Sequence, residues 1–289
     1  VAALCLCLLQ VDEAENNFSA GKRTLQLLTS DGTQSSHNQH RVFYNLFLAS
    51  PDDIPRVNGI FLEQFKRVAN MMNKTIYEFD SASVDITHIG STLDVNGLYE
   101  SASLPSNVDV TTEHIDSGDE KQTLIKLWDH CKKHPGDGSI VTYLHSKGSF
   151  HASSRNDLLR SFITRGATSE ECIGAVLNNA GDTCDVCSSR FSPLPHPHTS
   201  GNMWMARCSY VCQLPDPRSF EDKMNKFHAK TGGRKKFHQW DIGTGRFAYE
   251  HWVHCHPSVK PCDVYAHPTF VWGYPQWQQV PSKDDPFLM

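Results

Sequence analysis

Long hydrophobic runs are missing from this chain. The apolar stretch Val1–Val11 is broken only by Gln10, and it falls short of the roughly 20 residues that a spanning helix needs. Polar sequence follows at once, which fits the tail of a signal peptide or signal-anchor better than a core strand. An excess of one charge is missing too: 27 Lys and Arg stand against 32 Asp and Glu, a net charge of −5 with the signs well mixed. That balance excludes a whole-molecule attraction to nucleic acid, and no basic, aromatic-interleaved face suggests a nucleic-acid groove. Internal repeats are absent, and no second domain boundary follows residue 41.

What is present points to a lumenal protein with a stem and one folded body. At 289 residues the chain can bury a sizeable core. Of its ten cysteines, Cys5 and Cys7 lie in the apolar leader; seven of the other eight follow residue 170, so disulfides would mostly hold the C-terminal half. Two sequons, Asn17-Phe18-Ser19 and Asn73-Lys74-Thr75, agree with passage through a secretory lumen. The expected organisation is a leader remnant at 1–11, a polar stem at 12–40 and an α/β domain at 41–289. The expected setting is the secretory pathway, Golgi or ER lumen, with a single N-terminal membrane anchor.

Along the chain, Val42–Leu48 reads as a buried strand. Val57, Ile60, Phe61, Phe65, Val68 and Met72 recur at helical spacing over about four turns. Thr75–Phe79 and Val84–Ile89 are short strand candidates, and 90–107 reads as loop. Ser117-x-x-Glu120 is a capping box that predicts a helix through Leu124, Leu127 and Cys131; Thr168-x-x-Glu171 predicts another, with Cys172 as a buried thiol. Ile140–Leu144 runs without a charge, as a fully buried central strand does. Helices are expected over Asn156–Thr164 and Phe220–His228, a strand over Met203–Val211, and a basic loop over Lys230–Lys236. Strands alternating with helices predict a mainly parallel central sheet.

The central strand stops at His145-Ser146-Lys147-Gly148. Open α/β sheets bind ligands at the carboxyl edge, where Lys147 offers a compact positive charge suited to phosphate and Gly148 a close backbone approach. The plainer reading makes them ordinary loop residues. Cys184-x-x-Cys187 with His196 and His198 suggests zinc, but His196-x-His198 lacks the spacing of a structural site. His145-x-Lys147 suggests a phosphodiesterase, but Ala152 stands where that signature needs Asp.

The blocks Phe43-Tyr44-Asn45, Leu62-Glu63-Gln64, Lys121–Trp128, Tyr143-Leu144-His145-Ser146-Lys147-Gly148, Asn156–Arg160, His198–Ala206 and Glu250-His251-Trp252 resemble, in order, those of a glycosyltransferase-like family. Its pattern reads roughly F-Y-H, E-Q-L, T-L-x-K-L-W, Y-x-H-T-K-G, N-x-W-R, H-Y-S-G-N-F-W-W-A and E-x-W. The S-G-N-x-W-x-A block is the most specific. The resemblance spans Arg41 to about Cys262 and implies a nucleotide-diphospho-sugar transferase (GT-A-like) fold. Members of that fold typically hold a divalent metal, Mn²⁺ or Mg²⁺, through Asp-x-Asp at the end of the central strand. That place reads His145-Ser146-Lys147 here, so no metal ligand is assigned.

The activity expected is sugar transfer from a nucleotide-sugar donor to a glycan or glycoprotein acceptor. Lys147, with His145 and Gly148, would face the diphosphate. His198, Ser200, Gly201 and Asn202 would shape the donor or acceptor pocket. Trp204 is a sugar-stacking or a core aromatic, and Trp252 offers an aromatic face. Arg160 pairs with phosphate or with a helix-surface carboxylate. Glu250 is the base for an inverting transfer, or a surface carboxylate of its helix. The rival classes are a non-catalytic glycan-binding or scaffold protein on the same fold, and a disulfide-rich structural ectodomain.

Overall fold

The computed structural model describes residues 38–75, 77–136, 138–177 and 184–265. The leader, its Asn17 sequon and the C-terminal aromatic tail lie outside the described residues. The first half runs β1 (Gln39–Leu48), α1 (Ile54–Thr75), β2 (Ser81–Gly90), α2 (Val95–Glu100), β3 (Asp109–Ile115), α3 (Lys121–Lys133) and β4 (Ile140–His145). There follow α4 (Ser154–Ala167), α5 (Glu170–Leu177), β5 (Val186–Ser188), β6 (Phe191–Ser192), β7 (His198–Thr199) and β8 (Trp204–Arg207). The described residues end with α6 (Cys208–Val211), α7 (Pro217–Lys230), α8 (Gln239–Ile242), α9 (Ala248–Trp252) and β9 (Pro261–Asp263).

Seven strands form one α/β sheet in the order β3-β2-β1-β4-β8-β5-β9. β1 pairs in parallel with β2 and β4, β2 with β3, and β5 with β9; only β8 runs against its neighbours β4 and β5. Alternate side chains enter opposite cores, as the pleat requires. On one face Tyr44, Leu46, Ile86 and Leu144 meet Phe61, Phe65 and Val68 of α1 and Phe162 and Ile163 of α4. On the other, Phe43, Val141, Tyr143 and Trp204 meet Leu124 and Leu127 of α3, Phe220 of α7 and Trp252 of α9. Each fully buried side chain of this size contributes about 1.5–3 kcal/mol.

Among the described residues three disulfides staple the fold. Cys131–Cys208 joins α3 to α6, Cys172–Cys187 joins α5 to β5, and Cys184–Cys262 joins the approach to β5 to β9. They suit an oxidising, secretory-type environment. Among the described residues no helix is long and apolar enough to cross a membrane.

Several expectations are corrected. Order begins before Arg41, because Gln39 and His40 already pair with Ser81 and Ala82. Thr75–Phe79 is not a strand: Thr75 ends α1, and the chain turns before β2. The stretch read as loop contains α2, capped by Asp94 accepting from Gly97 N. Ser117 caps no helix; α3 starts after Glu120, whose side chain makes no cap bond. The second cap is Ser169, whose hydroxyl accepts from Cys172 N at 3.1 Å. Cys172 is a disulfide partner rather than a plain thiol, and the two cysteines of Cys184-x-x-Cys187 go to different partners, which leaves no thiolate pair for zinc.

Candidate functional site

The sheet reverses its winding direction between β1 and β4. From β1 the chain passes outward to β2 and β3, then returns to place β4 on β1's other side. A crevice opens outside the carboxyl ends of two parallel strands at such a point. Its floor is bonded across the strands: Ser146 N donates to Asn45 O at 2.9 Å, and Ser146 Oγ accepts from Phe47 N at 2.9 Å. The loop after β4 is pinned by two guanidinium groups. Arg56 donates to the carbonyls of Gly148, at 3.0 Å, and Ser149. Arg160 donates to the Lys147 carbonyl at 3.1 Å. Gly148 has φ +90°, and a Cβ there would meet Arg160 Nη1 at 3.1 Å. With its carbonyls held, the loop presents the half-buried Lys147 from one backbone geometry.

The facing wall is the turn Thr199–Asn202, closed by Asn202 N donating to Thr199 O at 2.9 Å. Gly201 takes φ +84°, as the third position of a type II turn requires. A Cβ there would lie 2.7 Å from Ile163 Cδ1 and 3.5 Å from Lys147 Cε, so the turn lies directly against the lysine. Asn202 follows at φ +49°, a conformation that costs a non-glycine residue about 1–3 kcal/mol and persists where the surroundings impose it. Those surroundings are a directed chain of bonds. Trp204 Nε1 donates to Asn202 Oδ1 at 2.9 Å, which orients the amide so that Nδ2 donates to Glu120 Oε2 at 2.7 Å. The Tyr143 hydroxyl donates to the same oxygen at 3.0 Å. Burial, reinforced by Glu120, pushes the Tyr143 pKa well up, so this phenol stays a donor.

His145 bridges the two walls. Its Nε2 lies 2.7 Å from Gly201 O and must donate, since a carbonyl only accepts. Burial holds the imidazole below its usual pKa against the opposing pull of Glu120, with Lys147 adding to the depression. Underneath, the Tyr44 hydroxyl donates to Gln64 Oε1 at 2.7 Å, and Gln64 Nε2 donates to His145 O at 3.1 Å and Thr164 Oγ1 at 2.9 Å.

The third side carries Arg190 and Glu250. Ser200 N donates to Arg190 O at 3.0 Å. Burial pushes the Arg190 pKa down to about 10; Asp263 and Glu250 pull it up, and Arg155 pushes it down. Glu250 is half-buried in the first turn of α9. Its neighbour Tyr249 donates to Glu221 Oε2 at 3.2 Å, and burial together with Glu221, Asp119 and Glu120 raises the phenol's pKa. α9 thus lies within electrostatic reach of Arg190, whose carbonyl anchors the turn, and of Glu120.

A domain family of unknown function (DUF8361) matches residues 43–286. The chain belongs to this family. No curated protein and no solved structure matches the DUF8361 chain.

The DUF8361 fold brings His145, Lys147, Gly148, Ser200, Gly201 and Asn202 together at the end of β4, with Glu250 within electrostatic reach of Arg190 behind the turn. It does not bring the aromatics there. Trp204 and Trp252 are fully buried, and Trp252 Nε1 donates to Pro215 O at 2.8 Å. Neither offers a face to a sugar; both are core residues supporting the walls. His198 is fully buried, donating from Nδ1 to His196 O at 2.8 Å and accepting at Nε2 from Ser200 Oγ at 3.1 Å, so it braces the turn from beneath. Arg160 is taken up by Glu63 at 2.6 Å and Asp157 at 2.9 Å, the carboxylate pairing rather than the phosphate one.

Glu120 is the residue that sequence reasoning missed. Its spacing from Ser117 fits a cap, and only the contact with Tyr143 and Asn202 reveals a carboxylate tied to the turn. The matched blocks are also more connected than their spacing suggests: Tyr44, Gln64, Glu63, Arg160, Asn202 and Trp204 all brace the crevice. A divalent cation fits poorly at the end of β4, where His145 Nε2 is spent on Gly201 O, Ser146 Oγ on Phe47 N, and the next residue is a lysine. Among the described residues no three His, Cys, Asp or Glu side chains converge as a metal site.

Proposed function

We propose that this domain is a glycosyltransferase of GT-A-like architecture. It moves a sugar from a nucleotide-diphospho-sugar to a glycan or glycoprotein acceptor in the Golgi or ER lumen. The observation that carries the reading is the arrangement at the winding reversal of the sheet: Lys147, just past the carboxyl end of β4, lies against the Thr199–Asn202 turn, and Asn202 of that turn donates to the carboxylate Glu120. Lys147 sits where the diphosphate gains charge as the sugar–phosphate bond breaks, and a pre-positioned cation stabilises that charge without reorganisation. The acceptor hydroxyl oxygen forms the new bond to the anomeric carbon, Glu250 takes its proton, and the electron pair leaves on the nucleoside diphosphate. Glu120, with Oε2 held by two donors, accepts hydroxyl hydrogens from the sugar.

Incubation of the purified domain with a panel of nucleotide-sugars, with and without Mn²⁺, should release nucleotide from at least one donor. The second reading, a non-catalytic glycan binder on the same fold, is favoured by the missing Asp-x-Asp. It predicts glycan binding with no nucleotide released and no nucleotide-induced shift in melting temperature.

A further inference from the structure

The positive charge of this chain is unevenly placed. Six of its 27 Lys and Arg fall between Lys223 and Lys236, a span without Asp or Glu, in a molecule of net charge −5. The fold displays them in a row. α7 buries Phe220, Met224 and His228, while Lys223, Lys226 and Lys230 are exposed. Their i, i+3, i+7 spacing puts all three on the outward face, along about 10 Å of helix. The chain then doubles back through Gly232 and Gly233, at φ +100° and +56°, conformations that glycine adopts freely. The return is tied down: Phe237 N donates to Gly233 O at 3.1 Å, and His228 Nε2 donates to Phe237 O at 3.0 Å. This places the exposed Lys235 and Lys236 by the end of the helix, with the Phe237 side chain 41% exposed beside them.

Closely spaced lysines on one rigid face attract polyanions by releasing their counterions. Two further observations select the polyanion. The three disulfides belong to an oxidising, secretory-type environment, where the abundant polyanions are glycans rather than nucleic acids. Phe237 adds an exposed apolar ring next to the cations, suited to the apolar face of a sugar ring. We propose that Lys223, Lys226, Lys230, Lys235, Lys236 and Phe237 form a binding site for an anionic glycan, a chain bearing sulfate or uronate groups. The proposal stands apart from the transferase reading. On the same helix Glu221 accepts from Tyr249, the neighbour of Glu250.

The probe is heparin, with the full disulfide-bonded chain. Wild type should be retained on immobilised heparin at physiological salt. K223E/K226E/K230E should weaken heparin binding roughly tenfold or more and flatten its salt dependence by about three phosphate-like contacts. K66E/K133E/K260E, at three scattered exposed lysines, makes the same change in net charge and should keep wild-type retention. K235E/K236E provides a second, independent break should the helix triple not fold. Failure of wild type to bind overturns the proposal, as does equal loss in the scattered triple. A preference for a DNA duplex over heparin at equal charge overturns the glycan assignment.

Discussion

Acid should unfold this domain through histidines that it buries uncharged. His40 on β1 is fully buried, with Nε2 2.9 Å from Thr142 Oγ1 and its ring 5.2 Å from Phe79; burial lowers its pKa from 6.5 to about 3. His251 on α9 is 1% exposed, donates from Nδ1 to Pro197 O at 2.7 Å, and is lowered by burial to about 4. Both folded values lie below the unfolded one, so between them the unfolded chain binds more protons. Stability is therefore full above pH 6.5 and is lost as pH falls toward the folded values. From pH 6.5 to about pH 5 each histidine should cost about 2 kcal/mol. The pair together removes about 4 kcal/mol from a typical stability of roughly 5–15 kcal/mol. Urea titrations of the oxidised protein at several pH values measure the slope, expected to be about two protons, or about 2.7 kcal/mol per pH unit. His254, also held well below its usual value by burial, steepens the slope. His40→Gln should flatten it by about one proton. A stability that stays level from pH 6.5 to 5, or a slope that His40→Gln leaves unchanged, would refute the reasoning.

Four other outcomes follow from the site and its supports. Lys147→Ala should weaken nucleoside diphosphate binding more than nucleoside binding, by roughly ten- to a hundredfold in calorimetry; equal losses would mean that the lysine does not meet phosphate. Glu250→Gln should lower turnover of the active donor by roughly 10²–10⁴-fold with donor affinity nearly intact, whereas Glu120→Gln should weaken donor binding. Gly201→Ala should lower stability by about 1–3 kcal/mol, because its φ of +84° strains any L side chain and the new Cβ meets Ile163; a melting temperature equal to wild type would show that the turn is not held this way. Removing Cys131–Cys208, 77 residues apart, should cost about 4.5 kcal/mol on loop entropy, and removing Cys172–Cys187, 15 apart, about 3 kcal/mol, both read from urea midpoints.

The strands legible in the sequence were those buried on both faces. Val42–Leu48 and Ile140–Leu144 are uncharged, mainly apolar runs because α1 and α4 cover one face and α3 the other. β3 was not legible: an edge strand whose side chains are mostly exposed carries no apolar period. Thr75–Phe79 misled because β-branched and aromatic residues also close a helix that runs on to Thr75. At the site, Lys147 and the Ser200-Gly201-Asn202 turn could be found, since a cation after a buried strand and a glycine before an asparagine are local signals. Glu120 could not, because its role depends on Tyr143 and Asn202, residues distant in the chain. Trp252 was misjudged as a ligand, and Trp204 left open between sugar and core, because a motif records residue type, while the choice between core and crevice is made by packing, for Trp252 that of α9 on β7 and α7.

The last strand of the sheet also sets when the molecule can be finished during synthesis. β9 contributes only Pro261–Asp263, yet it pairs in parallel with β5 and carries Cys262, the partner of Cys184. A ribosome has delivered β1 through β4, and with them half of the crevice, more than a hundred residues before β9 emerges. Until then Cys184 remains an unmated thiol and β5 an open edge, a template for unwanted pairing. Chains cut before Pro261 should therefore form mixed-disulfide aggregates rather than shortened soluble domains.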